Sequence, residues 1–142
     1  MKKVLMSLTL LLGLTWATQA QEMNWYTLEE AQKLNTSDSR PIFIDFTAEW
    51  CGWCKKMDRT TFSDKEVAER MNKEFYAVKL DFDSPQRFVF GDKAITAKEL
   101  AQQVAIEGLP TMVVFSSDLQ SHQKIVGYLK SNDFMNSLDE LN

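Results

Sequence analysis

Trp50-Cys51-Gly52-Trp53-Cys54-Lys55 places the chain's only two cysteines three positions apart. On the first turn of a helix, that spacing lets two thiols close and reopen a disulfide at small cost. A cysteine at the helix mouth also faces unpaired backbone N–H groups and the positive end of the helix dipole. If these lower the thiol pKa from about 8.5 to about 7, the thiolate fraction at pH 7 rises from roughly 3% to 50%. Cys51 is therefore the expected nucleophile. Cys54, one turn in, is the expected resolving thiol that displaces whatever Cys51 captures.

Two other uses of such a pair compete with redox chemistry. As a structural staple, a four-residue loop stabilises by only about 1.9 kcal/mol, against about 4.7 for a 100-residue loop. As half of a zinc site, it lacks a second pair, because one histidine cannot complete the common N/S ligand sets. No metal and no cofactor beyond the Cys51–Cys54 disulfide itself is expected.

The compartment matters for such chemistry. Lys2 and Lys3 precede an apolar stretch from Val4 to Trp16, and Thr18-Gln19-Ala20 offers small residues at a cleavage site before Gln21. Thirteen helical residues cover about 20 Å, short of the roughly 30 Å hydrocarbon core. Residues 1–20 are read as a secretory signal and 21–142 as one domain, working in a periplasm or another secretory space where disulfides persist. The chain carries 16 basic and 20 acidic side chains for a net charge of −4, which gives no field to attract nucleic acid. Its 44% apolar and 25% charged content is ordinary for a globular domain.

The elements that must hold the pair follow from patterning. Thr27-Leu28-Glu29-Glu30 is a capping box opening a helix over 28–35. Ile42 to Thr47 is a nearly continuous apolar run, predicting a strand buried on both faces with the carboxylate of Asp45 in its middle. Burial should raise that carboxyl's pKa by desolvation. A helix is expected from Cys51 to about Arg59, and a second capping box at Ser63–Glu66 opens another through Met71. Strand is expected over 75–81, 111–115 and around 124–128. Thr96–Glu99 opens a third boxed helix, and a last one follows Ser131 with Phe134, Leu138 and Leu141 on one face. Residues 86–95 resist assignment; Phe88, Val89 and Phe90 are read as packing of an inserted segment in preference to a partner surface. His122 is expected to be exposed beyond a hairpin turn, without a role.

This order indicates an α/β sandwich, and the segments carry a family resemblance. Ile44-Asp45-Phe46-Thr47-Ala48-Glu49-Trp50-Cys51-Gly52-Trp53-Cys54-Lys55 resembles the strand, active-site turn and helix start of the thioredoxin superfamily. Ala77 to Asp83 is similar to the family's next strand, Gly108-Leu109-Pro110-Thr111 to its cis-proline strand, and Val126-Gly127-Tyr128 to the one after. The match looks closest to exported thioredoxin-like domains akin to the C-terminal domain of DsbD disulfide-interchange proteins.

The resemblance implies a thioredoxin fold, with a central mixed β-sheet flanked by helices on both faces. It implies that Asp45 is a buried acid relaying a proton to or from Cys54, with Lys79 as its partner. It implies a cis bond before Pro110 that turns the Leu109 backbone toward the cysteines, where it pairs with an extended substrate. Trp50 is expected to pack and shield, and Gly52 and Trp53 to join it in the substrate-binding rim. Trp53 departs from the proline found there in many thioredoxins. The expected function is thiol–disulfide exchange on protein disulfides, in the reducing direction, recharged by a membrane thiol-reducing donor. A thioredoxin-fold adaptor with an inert disulfide, and less so a soft-metal chaperone, are the alternatives.

Overall fold

A computed structural model describes residues 21–141. The expected signal segment, residues 1–20, lies outside the described residues. Among those described, no helix is long and apolar enough to cross a membrane.

The chain runs β1 (Trp25–Tyr26), α1 (Leu28–Asn35), β2 (Ile42–Thr47), α2 (Gly52–Arg59), α3 (Lys65–Glu74) and β3 (Tyr76–Asp81). It continues through β4 (Arg87–Phe90), β5 (Lys93–Thr96), α4 (Ala97–Gln103), β6 (Thr111–Phe115), β7 (His122–Val126) and α5 (Ser131–Asp139). Five strands form one sheet in the order β1-β3-β2-β6-β7. β1, β3 and β2 are parallel, while β6 and β7 run antiparallel to their neighbours.

β2 is central and buried on both faces, as its apolar run requires. Its period-two alternation divides the core into two layers. Ile42, Ile44 and Phe46 pack with Leu28 of α1, Leu100 of α4 and Phe88 of β4 on one side. Phe43 packs with Met57 of α2, Met71 of α3 and Phe134 of α5 on the other. Asp45 shares the side of Phe43, so its carboxyl is directed toward the layer that contains α2. That single fact of register positions the buried acid beneath the helix that carries the cysteines.

Several expectations are corrected. α3 is capped by Asp64, whose Oδ1 accepts from the N–H groups of Glu66 and Val67 at 2.9 and 3.2 Å. Ser63 does not cap it, because its hydroxyl donates instead to the Asp58 carbonyl at 2.6 Å. An ionised cap is also favoured by the positive helix end. The helix continues past Met71 to Glu74. β7 lies earlier than expected: Gly127, at φ +87°, ends it and leaves Tyr128 outside. His122 is therefore the first residue of β7, exposed, paired with Phe115 and with its ring 5.4 Å from that of Phe115. The unassigned 86–95 segment is a hairpin turning at Gly91-Asp92, with Gly91 at φ +62°. Phe88 is buried and Phe90 packs on Phe115, but Val89, on the alternate face of the strand, is exposed and does not pack as expected. Gln32 secures the hairpin to α1, donating to the Val89 carbonyl at 2.7 Å and accepting from the Gly91 N–H at 3.1 Å.

Candidate active site

The turn after β2 ends on Cys51, whose N–H donates to the Ala48 carbonyl at 3.0 Å. Cys51 is the N-cap of α2, and its Sγ accepts from the Cys54 N–H at 3.2 Å. An orphan donor of the first helical turn is thus aimed at the sulfur expected to carry negative charge. Cys51 and Cys54 are joined in a disulfide with Cα atoms 5.3 Å apart. Both are largely buried, 4% and 2% exposed, in a collar formed by Ala48, Phe82 and Leu109.

The ground around the collar is open. A Cβ built on Gly52 meets nothing within 4 Å. The Leu109–Pro110 peptide is cis, as the resemblance implied, and Leu109 packs against the cysteine pair. The loop is tied at its ends, where Thr111 Oγ1 donates to the Gly108 carbonyl at 2.7 Å and Gly127 N–H to the Pro110 carbonyl at 2.9 Å. Among the described residues, neither backbone polar group of Leu109 has an intrachain partner.

Trp50 corrects the expectation of packing and shielding. It is 68% exposed. Its Nε1 donates to Asp83 Oδ2 at 2.6 Å, so the indole is held at the surface by its polar edge and presents its apolar body to solvent. Trp53 is 57% exposed, and its ring centroid lies 5.3 Å from that of Tyr128. Two exposed indoles therefore flank Cys51 in sequence, and the glycine between them adds no bulk.

Asp45 is 2% exposed and paired in register with Lys79 on β3 and Met112 on β6. Its carboxyl pKa is pushed up from 3.8 to about 7. Burial is the main cause; the Lys79 ammonium pulls the other way and the Asp58 carboxylate adds a smaller upward push. Among the described residues, Asp45 Oδ1 has no hydrogen-bond partner.

Lys79 faces Asp45 as the resemblance implied, but it does not serve that carboxyl alone. Its Nζ stands 3.9 Å from Asp45 Oδ2 but makes its close ion pair and hydrogen bond with Asp58. It also lies 4.4 Å from the centroid of the Trp25 ring. Asp58 is half-exposed, so the pair with Lys79 forms without burying two charges fully, whereas closing on Asp45 would take the ammonium deeper. A cavity of about 400 Å³, lined in part by Trp25, Asp58, Phe62 and Lys79, lies beside this pair. Asp58 was missed in the sequence. Its signal was the spacing: it is four residues after Cys54, one turn along the same face of α2. No group of three or more His, Cys, Asp and Glu side chains is placed to hold a metal among the described residues.

Residues 28–142 match the family model of a thioredoxin-like domain. The thiol:disulfide interchange protein DsbD of Actinobacillus pleuropneumoniae is 29% identical over 115 residues, covering 80% of this chain and 18% of that protein. DsbD of Ralstonia nicotianae is 32% identical over 114 residues, covering 78% and 17%. The chain thus spans less than a fifth of the length of these relatives. Among solved structures, a thioredoxin from Thermus thermophilus superposes with a TM-score of 0.68 at 22% identity, covering 84% of this chain and 87% of that one. The oxidised C-terminal domain of Neisseria meningitidis DsbD gives 0.60 at 21% identity, covering 82% and 98%. At these identities the superpositions establish the shared fold.

Proposed function

The chain belongs to the thioredoxin-like family, and from that premise we propose that it is an exported thiol–disulfide oxidoreductase that reduces protein disulfides. The observation that carries this reading is the Cys51–Cys54 disulfide at the mouth of α2, with a backbone N–H directed at Cys51 Sγ and an open surface in front of Gly52. The relatives named as thiol:disulfide interchange proteins support it.

In the reduced protein, the Cys51 thiolate attacks one sulfur of a substrate disulfide. A Cys51–substrate disulfide forms, the substrate S–S bond breaks, and the departing thiolate takes up a proton. The Cys54 thiol then loses its proton, and its thiolate attacks Cys51 Sγ. The Cys51–Cys54 bond forms and the second substrate thiolate leaves. Two electrons pass to the substrate, and the protein ends as its disulfide. Asp45 is the proton acceptor in this reading, since a carboxyl with a pKa near 7 exchanges protons readily around neutral pH. Lys79 and Asp58 set the charge around it. The unpaired backbone of Leu109 beside cis-Pro110 offers an extended substrate a place to pair, between Trp50, Gly52 and Trp53. A membrane thiol-reducing partner returns the pair to the dithiol.

The test is reduction of insulin by dithiothreitol, joined to capture of the intermediate. Wild-type protein is expected to accelerate the reaction, and Cys54→Ser to accumulate mixed disulfides linked through Cys51 alone, located by mass spectrometry of the linked peptides. No acceleration by wild type would favour an adaptor with an inert pair. Protection of both thiols by one equivalent of a soft metal would favour the metal chaperone.

Export carries its own expectation. Protein recovered from the periplasmic fraction of a bacterial host should begin at Gln21, read from the intact mass. A chain retaining Lys2 and Lys3 would overturn cleavage at Ala20.

A further inference from the structure

We infer that Lys56, resting on the rings of Trp53 and Tyr128, is a specificity-determining residue that favours substrates carrying an aspartate or glutamate beside the reacting cysteine. This rests on the oxidoreductase reading above and names the class of polypeptide that the site prefers.

Lys56 follows Trp53 by three positions, so the two side chains share the outer face of α2. Its Nζ lies 4.8 Å from the Trp53 ring centroid and 4.9 Å from that of Tyr128. The shelf is anchored at its far side, where the Tyr128 hydroxyl and Thr60 Oγ1 are 3.3 Å apart at the end of α2. Two ring faces hold the ammonium by their quadrupoles but accept none of its three N–H donors in the way an oxygen would.

The neighbouring charges are otherwise occupied. Lys55 is paired with Glu49 at 2.7 Å, Asp58 is paired with Lys79, and Asp83 accepts from Trp50. Among the described residues, the Lys56 ammonium has neither an ion pair nor a hydrogen-bond acceptor, and the residue is exposed. The result is an unneutralised cation next to Trp53, one of the two residues between the cysteines, in a chain of net charge −4. α2 itself carries Lys55, Lys56 and Arg59 against Asp58, a local reversal of that balance. The charge that α2 itself carries therefore differs in sign from that of the chain as a whole.

An acidic group fits this place. A cystine-bearing polypeptide docked on Cys51 brings the residues one or two positions from its own cysteine within about 4–7 Å along the chain. An aspartate or glutamate there can set its methylenes on the exposed Trp53 face and its carboxylate on the Lys56 ammonium. A lysine at the same place meets a like charge on the same shelf.

Three disulfide-linked peptides of one sequence, differing only in Glu, Gln or Lys beside the cysteine, test this. The purified chain is reduced, freed of reductant and mixed with each peptide, and the second-order rate of peptide thiol release is measured. The Glu peptide is expected to react about three to five times faster than the Gln peptide, and the Lys peptide slower by a similar factor. In 0.5 M salt the spread should contract toward one. In Lys56→Gln the Glu-to-Gln ratio should fall to about one, while Lys56→Arg should keep most of it. Taking a ratio within each variant cancels any general change in the cysteine pair. A wild-type ratio of one, or a ratio that survives Lys56→Gln, overturns the specificity role and leaves the oxidoreductase reading standing. Failure of wild type to reduce any of the three overturns both.

Discussion

Cys51→Ser is expected to lower insulin disulfide reduction about a thousandfold or more, to the dithiothreitol background. A hydroxyl cannot form the mixed disulfide on which every later step depends. Structure separates this sulfur from its neighbour more by position than by exposure. Cys51 caps α2 and receives the Cys54 N–H, whereas Cys54 is inside the first turn with its back to the core. Loss of folding would not explain the result. Removing a disulfide that closes four residues costs only about 2 kcal/mol on the loop-entropy scale, and far-ultraviolet circular dichroism would verify that the variant is folded. The complementary Cys54→Ser variant retains the first step and stalls at the second. If Cys51→Ser kept half of the wild-type rate, the nucleophile would have to be another group and the proposed mechanism would fall.

The second large effect concerns Asp45, where stability and activity should move in opposite directions. Its carboxyl has an ordinary pKa of 3.8 when the chain is unfolded and about 7 in the folded protein. Between those values the folded state holds a proton that the unfolded state has released. Stability therefore falls as pH rises through that window, and the loss is complete above pH 7. At 1.36 kcal/mol per pH unit, the full penalty is on the order of 4 kcal/mol. Asp45→Asn removes the charge and keeps the shape. Its stability relative to wild type should therefore improve by about 2–3 kcal/mol between pH 5 and pH 8.5, measured by urea unfolding of the oxidised proteins. The same variant should reduce insulin at least about tenfold more slowly at neutral pH, because the proposed proton acceptor for Cys54 is gone. A merely structural aspartate would not combine a more stable protein with a slower one. Equal pH dependence in the two proteins would show that the carboxyl is not held in its neutral form.

Much of this arrangement was legible in the chain. The Thr27 and Thr96 capping boxes form as read, since both partners of each box lie within three residues and need no tertiary help. β2 was visible because burial on both faces leaves a continuous apolar run. The hairpin of β4 and β5 escaped, although Gly91-Asp92, directly after the alternating Phe88 and Phe90, was a usable turn signal. β1 escaped because two residues carry no period, and Trp25-Tyr26 becomes a strand only by pairing with Ala77-Val78. Asp64 displaced Ser63 as a cap because the choice depends on what else the serine hydroxyl can reach, here the Asp58 carbonyl.

From sequence alone, the reactive pair, its place at a strand-to-helix junction and the buried acid upstream were determined, because each is a matter of residue type and short spacing. Tertiary structure alone decided which charges meet. Lys79 lies 21 residues from Asp58 and 34 from Asp45, and only the pairing of β2 with β3 under α2 lets one ammonium choose between two carboxylates. It likewise decided that Trp50 faces solvent and that Lys56 shares its rings with Tyr128, 72 residues away. Side-chain partnership at such separations is set by packing and desolvation in three dimensions, for which local pattern has no code.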